Sequence, residues 1–305
     1  ESAFNLDVRA LTRNLPAILT LAVPALIVST VLTGGAVMLG GGADHGLTWP
    51  AALLFGALIS ATDPVAVVAL FKELGAPKRL GVLVDGESLM NDGTAIVLFN
   101  ILLAAVVAGV LGTGAEVSVG GQVLSGVGRF FVVALGGIAV GVALAFPIFS
   151  LIGWIVSNES VEISLSVVLA YASFVIAEHF LHVSGVLAAV TAGLIAGSYG
   201  RTKVSPSVEE FMHSFWEYMA FAMNSLIFFS VGLIIVRQVS LEEAHGLLPL
   251  LGVTLAAVIG ARALGVFASA PFVNRFVDTI SLRYQTVMWW GGRRGAVSLA
   301  LALTV

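Results

Sequence analysis

The sequence predicts an all-α protein that crosses a membrane many times. Hydrophobic residues make up 58% of the 305 residues and charged residues 10%, whereas an ordinary soluble domain is about 25% charged. Several apolar stretches reach the roughly 20 residues that a transmembrane helix needs. This composition excludes a soluble enzyme with a single hydrophobic helix. The chain has no cysteine, which excludes disulfides and thiol chemistry.

Ten hydrophobic segments can be drawn between breaks that are rich in glycine, proline and polar residues. The longest break, residues 112–125, is predicted to be a glycine-rich surface loop. Residues 40–42 are predicted to form a turn; no strand precedes these glycines, so they are not a dinucleotide-binding fingerprint. The segments are 1–11, 15–39, 48–72, 80–111, 126–153, 161–181, 183–199, 209–236, 247–273 and 284–305.

Basic residues support this order of segments, because most of them fall in alternate loops on one side of the membrane. By the positive-inside rule this side is cytoplasmic. The other side holds only Arg129 and Arg237. One turn on the cytoplasmic side, Ser157 to Glu162, is acidic and gives no support. The cytoplasmic set is Arg9, Arg13, Lys72, Lys78, Arg79, Arg201, Lys203, Arg275 and Arg283.

Two segments are interrupted, one at residues 62–64 and the other at residues 291–295. Pro64 lacks a backbone donor and suits the first turn of a new helix, which Thr62 or Asp63 can cap. A bilayer tolerates irregular backbone only where it is buried in protein or lines a cavity. Paired interruptions, one in each half of a chain, point to a transporter binding site at the membrane midplane.

Acidic residues lie inside these apolar segments. Glu87 and Asp92 belong to segment 80–111, and Asp63 lies one segment earlier. An acid at the centre of a transmembrane helix costs about 2.5–3.5 kcal/mol on insertion scales, so such acids mark an ion or proton path by default. Ser88 and Asp92 are four residues apart and share a helix face, so they can offer oxygens to one hard cation.

Four motifs together resemble the monovalent cation:proton antiporter-1 family, which includes the NhaP-type and sodium/hydrogen-exchanger proteins. They are Thr62-Asp63-Pro64, Gly86-Glu87-Ser88-Leu89-Met90-Asn91-Asp92-Gly93, Ala261-Arg262 and Gly291-Gly292-Arg293-Arg294-Gly295-Ala296-Val297-Ser298. The resemblance covers essentially the whole chain, and four motifs in the family's order and spacing are specific. It implies an inverted-repeat antiporter fold with two broken, crossing helices, of whose thirteen helices about ten are present.

The resemblance also implies a division into two bundles. Residues 15–111 and 247–305 would form the core transport bundle, and residues 126–236 the interface or dimerisation bundle, with 1–14 as the remnant of one of its helices. The chain begins without a methionine or a basic leader and ends in a hydrophobic run. We therefore expect it to be an internal piece of a longer protein. Gly137 with Gly141, and Gly193 with Gly197, would allow close helix packing within or between subunits.

The resemblance implies a binding site for Na+ or a similar cation. Asp92 would bind a proton or the cation, and the other ligands would be Ser88, the Thr62 carbonyl and Asp63. Asn91 would organise this site by hydrogen bonding. Two simpler structural roles remain possible interpretations. Asp92 would then be a hydrogen-bonded structural acid, and Asp63 an ordinary helix N-cap.

Other residues would have supporting roles, given by the resemblance or by their position in the sequence. Glu87 and Arg262 would form a buried salt bridge, whose loss strands a buried charge. Arg293 or Arg294 would offset the dipoles of the half-helices at the second interruption. Glu1 matches a third-helix acid that reaches the ion in some members of the family.

The sequence thus predicts a secondary active antiporter that exchanges Na+, or another monovalent cation such as Li+ or K+, for H+ by alternating access. Since Asn91 cannot titrate, Asp92 alone of this pair carries a proton, and exchange is expected to be electroneutral. We expect a homodimer in the lipid bilayer of the plasma (cell inner) membrane, with no cofactor, enzymatic activity or nucleic-acid partner. Two alternatives remain: a cation channel, and a sensor of the same fold that has lost transport.

Overall fold

The computed structural model describes residues 2–110, 119–153, 159–204, 206–238, 241–275, 278–292 and 298, and within these residues it contains helices and no strand. The helices are α1 (Ser2–Asn5), α2 (Val8–Thr20), α3 (Leu26–Val37), α4 (Trp49–Ser60), α5 (Val65–Leu74), α6 (Lys78–Val110), α7 (Val119–Ile152), α8 (Glu159–Val175), α9 (Gly185–Ser198), α10 (Pro206–Gln238), α11 (Leu241–Val273) and α12 (Leu282–Gly291).

Six helical stretches in the described part of the chain are long and apolar enough to cross a membrane. They are Val8–His45, Lys78–Val107, Gly126–Ile152, Ser160–Phe180, Val208–Ile234 and Leu248–Val273. The prediction of an all-α polytopic membrane protein is confirmed.

The first predicted break is misplaced. The sequence suggested a gap between residues 11 and 15, but α2 begins at Val8. The carboxylate of Asp7 accepts hydrogen bonds from the backbone N–H groups of Arg9 at 2.9 Å and Ala10 at 3.2 Å. This is the geometry of a helix N-cap, so Asp7 starts the helix seven residues earlier than hydrophobicity alone indicated.

The long helix that follows contains two π-helical turns. The first, Leu21–Ala25, contains Pro24, which cannot donate a hydrogen bond, so the register slips there without ending the helix. The second, Met38–Gly42, occupies the glycine turn predicted at residues 40–42, and Gly41 adopts a φ of +114°, which glycine reaches at no steric cost. Residues 119–125 of the predicted loop 112–125 are helical, because α7 already begins at Val119.

The chain divides into two compact units. The first unit holds Val119–Met223 together with the chain up to Thr12, and the second holds Arg13–Ser118 together with the chain from Asn224 onward. The first unit has an apolar interior that includes Phe4, Phe149, Ile152, Leu169, Val208 and Met212.

Close helix crossings in the first unit are made possible by glycine. A Cβ at Gly137 of α7 would collide with the carbonyl of Ser184 at the start of α9, and one at Gly197 of α9 would collide with the carbonyl of Phe4 in α1. The other member of each glycine pair, Gly141 and Gly193, also leaves less than 3 Å between an added Cβ and a neighbouring residue. Both pairs therefore serve packing within the chain.

In the second unit, α3 and α4 cross at small residues. A Cβ at Gly56 would overlap the carbonyl of Thr30, so the two backbones touch. On its other side α4 packs against α6, where Leu54, Ala57 and Phe99 form a buried cluster. This packing holds the C-terminal end of α4 against the middle of α6, where the candidate residues lie.

One arginine ties three parts of the second unit together near the start of α6. Arg79 donates a hydrogen bond of 3.0 Å to the side-chain oxygen of Asn14 in α2. It also donates to the carbonyls of Asp278 and Thr279, in the segment before α12. Arg13 adds an exposed salt bridge of 2.9 Å to Asp278. These contacts fix the beginning of α6 relative to α2 and to the entry of α12.

Candidate functional site

The predicted interruption at residues 62–64 is present. Helix α4 ends at Ser60, Ala61 is extended with φ −60° and ψ 139°, and α5 begins at Val65. Pro64 occupies the N-cap position of α5, one residue outside the first turn in which the sequence placed it, and the carbonyl of Pro64 accepts the N–H of Val68 at 2.8 Å. The interruption exposes the polar backbone of Ala61 and its neighbours to other helices.

The second interruption begins where α12 ends at Gly291. Gly292 has left the helical conformation, with φ −75° and ψ 63°. Arg293 and Arg294, to which the sequence assigned compensation of the half-helix dipoles, lie outside the described residues, as does Glu1.

The two interruptions meet. Gly291 lies beside the side chain of Val67 in the first turn of α5, where a Cβ would approach within 3.1 Å. The hydroxyl of Ser298, beyond the second interruption, donates a hydrogen bond of 3.5 Å to the carbonyl of Ala61 in the first. The two broken segments therefore contact each other.

Helix α6 contacts the first interruption through hydrogen bonds to Thr62, which is 2% exposed. The hydroxyl of Ser88 donates to the Thr62 carbonyl. The side-chain amide of Asn91 donates to the Thr62 hydroxyl at 2.6 Å, and its oxygen accepts the Thr62 N–H at 3.3 Å. A hydroxyl and a carbonyl each carry two acceptor lone pairs, so both Ser88 and Thr62 retain oxygen lone pairs that a hard cation can share.

Asp92 lies one helical turn beyond Ser88. Its Oδ1 atom is buried and has no hydrogen-bond partner among the residues that the structure describes. The carboxylate of Asp63 lies near enough for its charge to repel that of Asp92. Buried polar groups are normally hydrogen-bonded, so this carboxylate is placed to take a proton or a cation.

Glu87 and Arg262 form a buried ion pair. Both guanidinium Nη atoms donate to the two carboxylate oxygens at 2.6 Å, and the side chains are 1% and 11% exposed, respectively. Asn91 donates to the same carboxylate at 3.0 Å. Because the amide of Asn91 also contacts Thr62, the ion pair is joined directly to the interruption in the first broken helix.

Arg262 also binds the end of α12. It donates a hydrogen bond of 3.1 Å to the carbonyl of Met288, one of the four carbonyls that the end of a helix leaves without a partner. A Cβ at Gly292 would lie within 2.8 Å of three guanidinium atoms, so glycine is needed there for close approach. Arg262 therefore places a positive charge at the negative end of a half-helix, a role that the sequence had suggested for Arg293 or Arg294.

The sequence analysis passed over Asp85, an acid of α6. It precedes Asp92 by seven residues, which is two helical turns or about 10.5 Å along one face of the helix. This spacing was readable from the sequence, but Asp85 lies next to the Gly-Glu-Ser-Leu motif and was not considered separately.

The donors gathered here suit a hard cation. They are carboxylate, hydroxyl and carbonyl oxygens, which select alkali and alkaline-earth ions over softer metals. In the part of the chain that the structure describes, no group of three or more histidine, cysteine, aspartate or glutamate side chains could hold a metal ion. A cation site around Asp92 would therefore need hydroxyl and backbone oxygens as well as acids.

Comparisons with known proteins point to one family. The family model described as "Sodium/hydrogen exchanger, transmembrane" matches residues 1–305. The Na+/H+ antiporter ApNhaP of Aphanothece halophytica is 38% identical over 308 residues, a match that covers all of this chain and 55% of that protein. The low-affinity Na+/H+ antiporter NhaS1 of Synechocystis is also 38% identical, over 312 residues, with the same two coverages. The chain thus spans about half the length of these relatives.

Among solved structures, the sodium proton antiporter MjNhaP1 from Methanocaldococcus jannaschii superimposes with a TM-score of 0.76. The match has 22% sequence identity and covers 99% of this chain and 69% of that one. At this identity the likeness concerns the fold, and it confirms the predicted antiporter fold. Since the family model matches from the first residue to the last, the chain belongs to the transmembrane sodium/hydrogen exchanger family.

Proposed function

We propose that the protein exchanges Na+, or another monovalent cation, for H+ across the membrane by alternating access. The observation that carries this proposal is the environment of Asp92. One of its oxygens is buried without a hydrogen-bond partner among the described residues, and the carboxylate of Asp63 lies near enough to repel its charge. Either a proton or a cation relieves this repulsion. Because both would occupy the same carboxylate, they compete, and such competition is the minimum that antiport requires.

The cation site that we propose combines α6 with the first interruption. Asp92 and Asp63 supply carboxylate oxygens, and Ser88 and the Thr62 carbonyl supply neutral ones. Asn91 holds Thr62 in place through two hydrogen bonds, so it positions the carbonyl and need not bind the ion. Irregular backbone that lines a cavity is how discontinuous helices of transporters bind ions at membrane depth.

We propose roles for two bundles whose bounds differ from those of the compact units at residues 13–14 and 224–236. Apart from Glu1, every candidate residue belongs to the second unit. We propose that residues 15–111 and 247–305 act as the transport core, and that residues 126–236 with 1–14 contact a second copy of the protein in a dimer. The membrane that we propose is the plasma (cell inner) membrane.

The test of antiport uses the purified protein in liposomes that contain a pH-sensitive dye. An outward proton gradient should collapse when Na+ is added outside, and Li+ and K+ should be compared at equal concentration. Currents far above carrier turnover would instead support a channel. No cation-dependent pH change for any of the three ions would support a sensor that has lost transport.

Exchange is expected to be electroneutral, because Asn91 cannot carry a proton and Asp92 exchanges one proton for one monovalent cation. The measurement is the cation-driven pH change in liposomes under an imposed potassium–valinomycin potential. The equilibrium pH gradient should be the same at zero and at negative potential. A clear voltage dependence would mean that a second acid, such as Asp63 or Glu1, also carries a proton.

We further propose that Asp85 attracts cations towards Asp92 from the side of the membrane that holds most of the basic loops. It lies two turns nearer than Asp92 to the Lys78 end of α6, and a negative charge along an approach raises the local cation concentration. Asp85→Asn should raise the KM for Na+ on that side about 2- to 5-fold, with little change in maximal rate, and the effect should shrink at high ionic strength.

The matched control is Asp44→Asn. It removes the charge of an exposed acid at the C-terminal end of the Val8–His45 helix, away from the basic loops. It should leave the KM on the basic side unchanged. A fall in maximal rate with an unchanged KM in Asp85→Asn would show that Asp85 takes part in the exchange step instead of the approach.

A further inference from the structure

Helices α6 and α12 contact each other and are joined at two levels of the second unit. Near their starts, Arg79 of α6 donates hydrogen bonds to two backbone carbonyls just before α12. Deeper in the unit, Arg262 bridges the Glu87 carboxylate of α6 and the Met288 carbonyl of α12. The stretch of α6 from Arg79 to Glu87 is about 12 Å long. The half-helix α12 is therefore held by an arginine at each end.

The segment that Arg79 binds is itself tied to both neighbouring helices. Arg79 donates to the carbonyls of the two residues before Ile280. The N–H of Ile280 donates to the side-chain oxygen of Asn274 at the end of α11, at 2.8 Å. The side-chain amide of Gln285 in α12 donates to the Ile280 carbonyl, also at 2.8 Å, and Ile280 is 3% exposed. These bonds connect Arg79 to the first turn of α12 without a free stretch of chain between them.

Arg79 does not stabilise α6 by its charge. Lys78 and Arg79 both lie in the first turn of this helix, which contains no acid, and a cation there works against the partial positive charge of a helix N-terminus. The positive-inside rule favours a basic residue on this side of the membrane, but a lysine satisfies it equally well. Only arginine has a planar fork of donors. That fork reaches Asn14 of α2 at 3.0 Å as well as the two carbonyls before α12.

We infer that Arg79 is a positioning residue for the proposed cation site and acts on it through α12. This half-helix has ten residues and is about 15 Å long, so a shift at its start is carried to its end. At that end Gly291 lies against Val67 in the first turn of α5, and Gly292 lies against the guanidinium of Arg262. Both contacts border the first interruption, which supplies the carbonyl ligand of the proposed site. Because this role rests on the proposed function, the quantity that it controls is the affinity for the cation.

The test variant is Arg79→Lys, which keeps the positive charge and removes the fork of donors. The matched control is Lys78→Arg, which exchanges the same two residue types at the exposed neighbouring position. In the liposome assay, Arg79→Lys should raise the KM for Na+ about 3- to 10-fold from either side of the membrane, with a smaller fall in maximal rate. Lys78→Arg should keep the wild-type KM.

The dependence on salt separates positioning from electrostatics. Arg79 acts on the site itself, so the rise in KM should persist at high ionic strength, whereas the effect expected for Asp85→Asn should shrink. A wild-type KM in Arg79→Lys would show that only the charge at residue 79 matters, and it would overturn the positioning role. An equal rise in KM in Lys78→Arg would overturn it as well, because that variant leaves the contacts of Arg79 in place.

A second measurement does not depend on transport. Amide hydrogen exchange in the peptide that covers Leu282–Gly291 should become about 3- to 10-fold faster in Arg79→Lys and stay at the wild-type rate in Lys78→Arg. Unchanged exchange in Arg79→Lys would show that Arg79 does not hold α12. Faster exchange with a wild-type KM would show that the hold does not reach the site, and either result overturns the role. If the wild-type protein gave no Na+-driven pH change, the proposed function would fail instead, and unchanged exchange would still refute the hold on α12.

Discussion

Asp92→Asn is expected to abolish cation-driven proton movement in liposomes while leaving a folded protein. The amide has nearly the shape of the carboxylate, but it does not titrate in the pH range of the assay. It also has no negative charge to attract a cation. We expect the rate of dye response to Na+ to fall to that of protein-free liposomes. Exchange at near the wild-type rate would exclude Asp92 as the carrier.

Thermal unfolding distinguishes loss of function from loss of fold. A buried charge without a hydrogen-bond partner is costly, so neutralising Asp92 should leave the unfolding temperature unchanged or raise it. Functional sites often carry this kind of strain, and removing it stabilises the protein at the expense of activity. Asp44→Asn, the exposed control, should retain both transport and the wild-type unfolding temperature.

The fold was largely predictable because it depends on signals that are local in the sequence. Long apolar runs define most of the spanning helices, and the Thr-Asp-Pro and Gly-Gly-Arg-Arg-Gly motifs mark the two interruptions. The helix boundary at Val8 was missed because a hydrophobicity pattern does not detect an N-cap residue. Asp7 starts that helix through two hydrogen bonds from its carboxylate to backbone N–H groups, and Thr12 and Arg13, which were expected in a loop, are helical.

The site was predictable in part, and mainly through the family resemblance. The i, i+4 spacing placed Ser88 and Asp92 on one face, but spacing could not show that Ser88 binds the carbonyl of Thr62. Such contacts depend on where a second helix breaks in three dimensions. The bond from Arg262 to the Met288 carbonyl was likewise unpredictable, because it joins residues of two helices that only tertiary packing brings together.

Arg262→Ala is expected to cause a large loss of stability, because it removes two supports at once. It leaves the carboxylate of Glu87 charged and 1% exposed without its partner, and breaking one side of a buried pair costs about 3–5 kcal/mol. It also removes the donor to the Met288 carbonyl at the end of α12. Glu87→Gln should cost less, since the amide of residue 87 can still accept from Arg262 and the end of α12 keeps its donor.

Thermal unfolding in detergent measures both variants, with Arg129→Ala as the control because Arg129 is exposed on α7. Combining Glu87→Gln with Arg262→Ala should cost less than the sum of the two single changes, because neither charge is then left alone. This non-additivity identifies the ion pair as the source of the effect. If either single variant kept the wild-type unfolding temperature but lost transport, the pair would belong to the exchange chemistry and its structural assignment would be wrong.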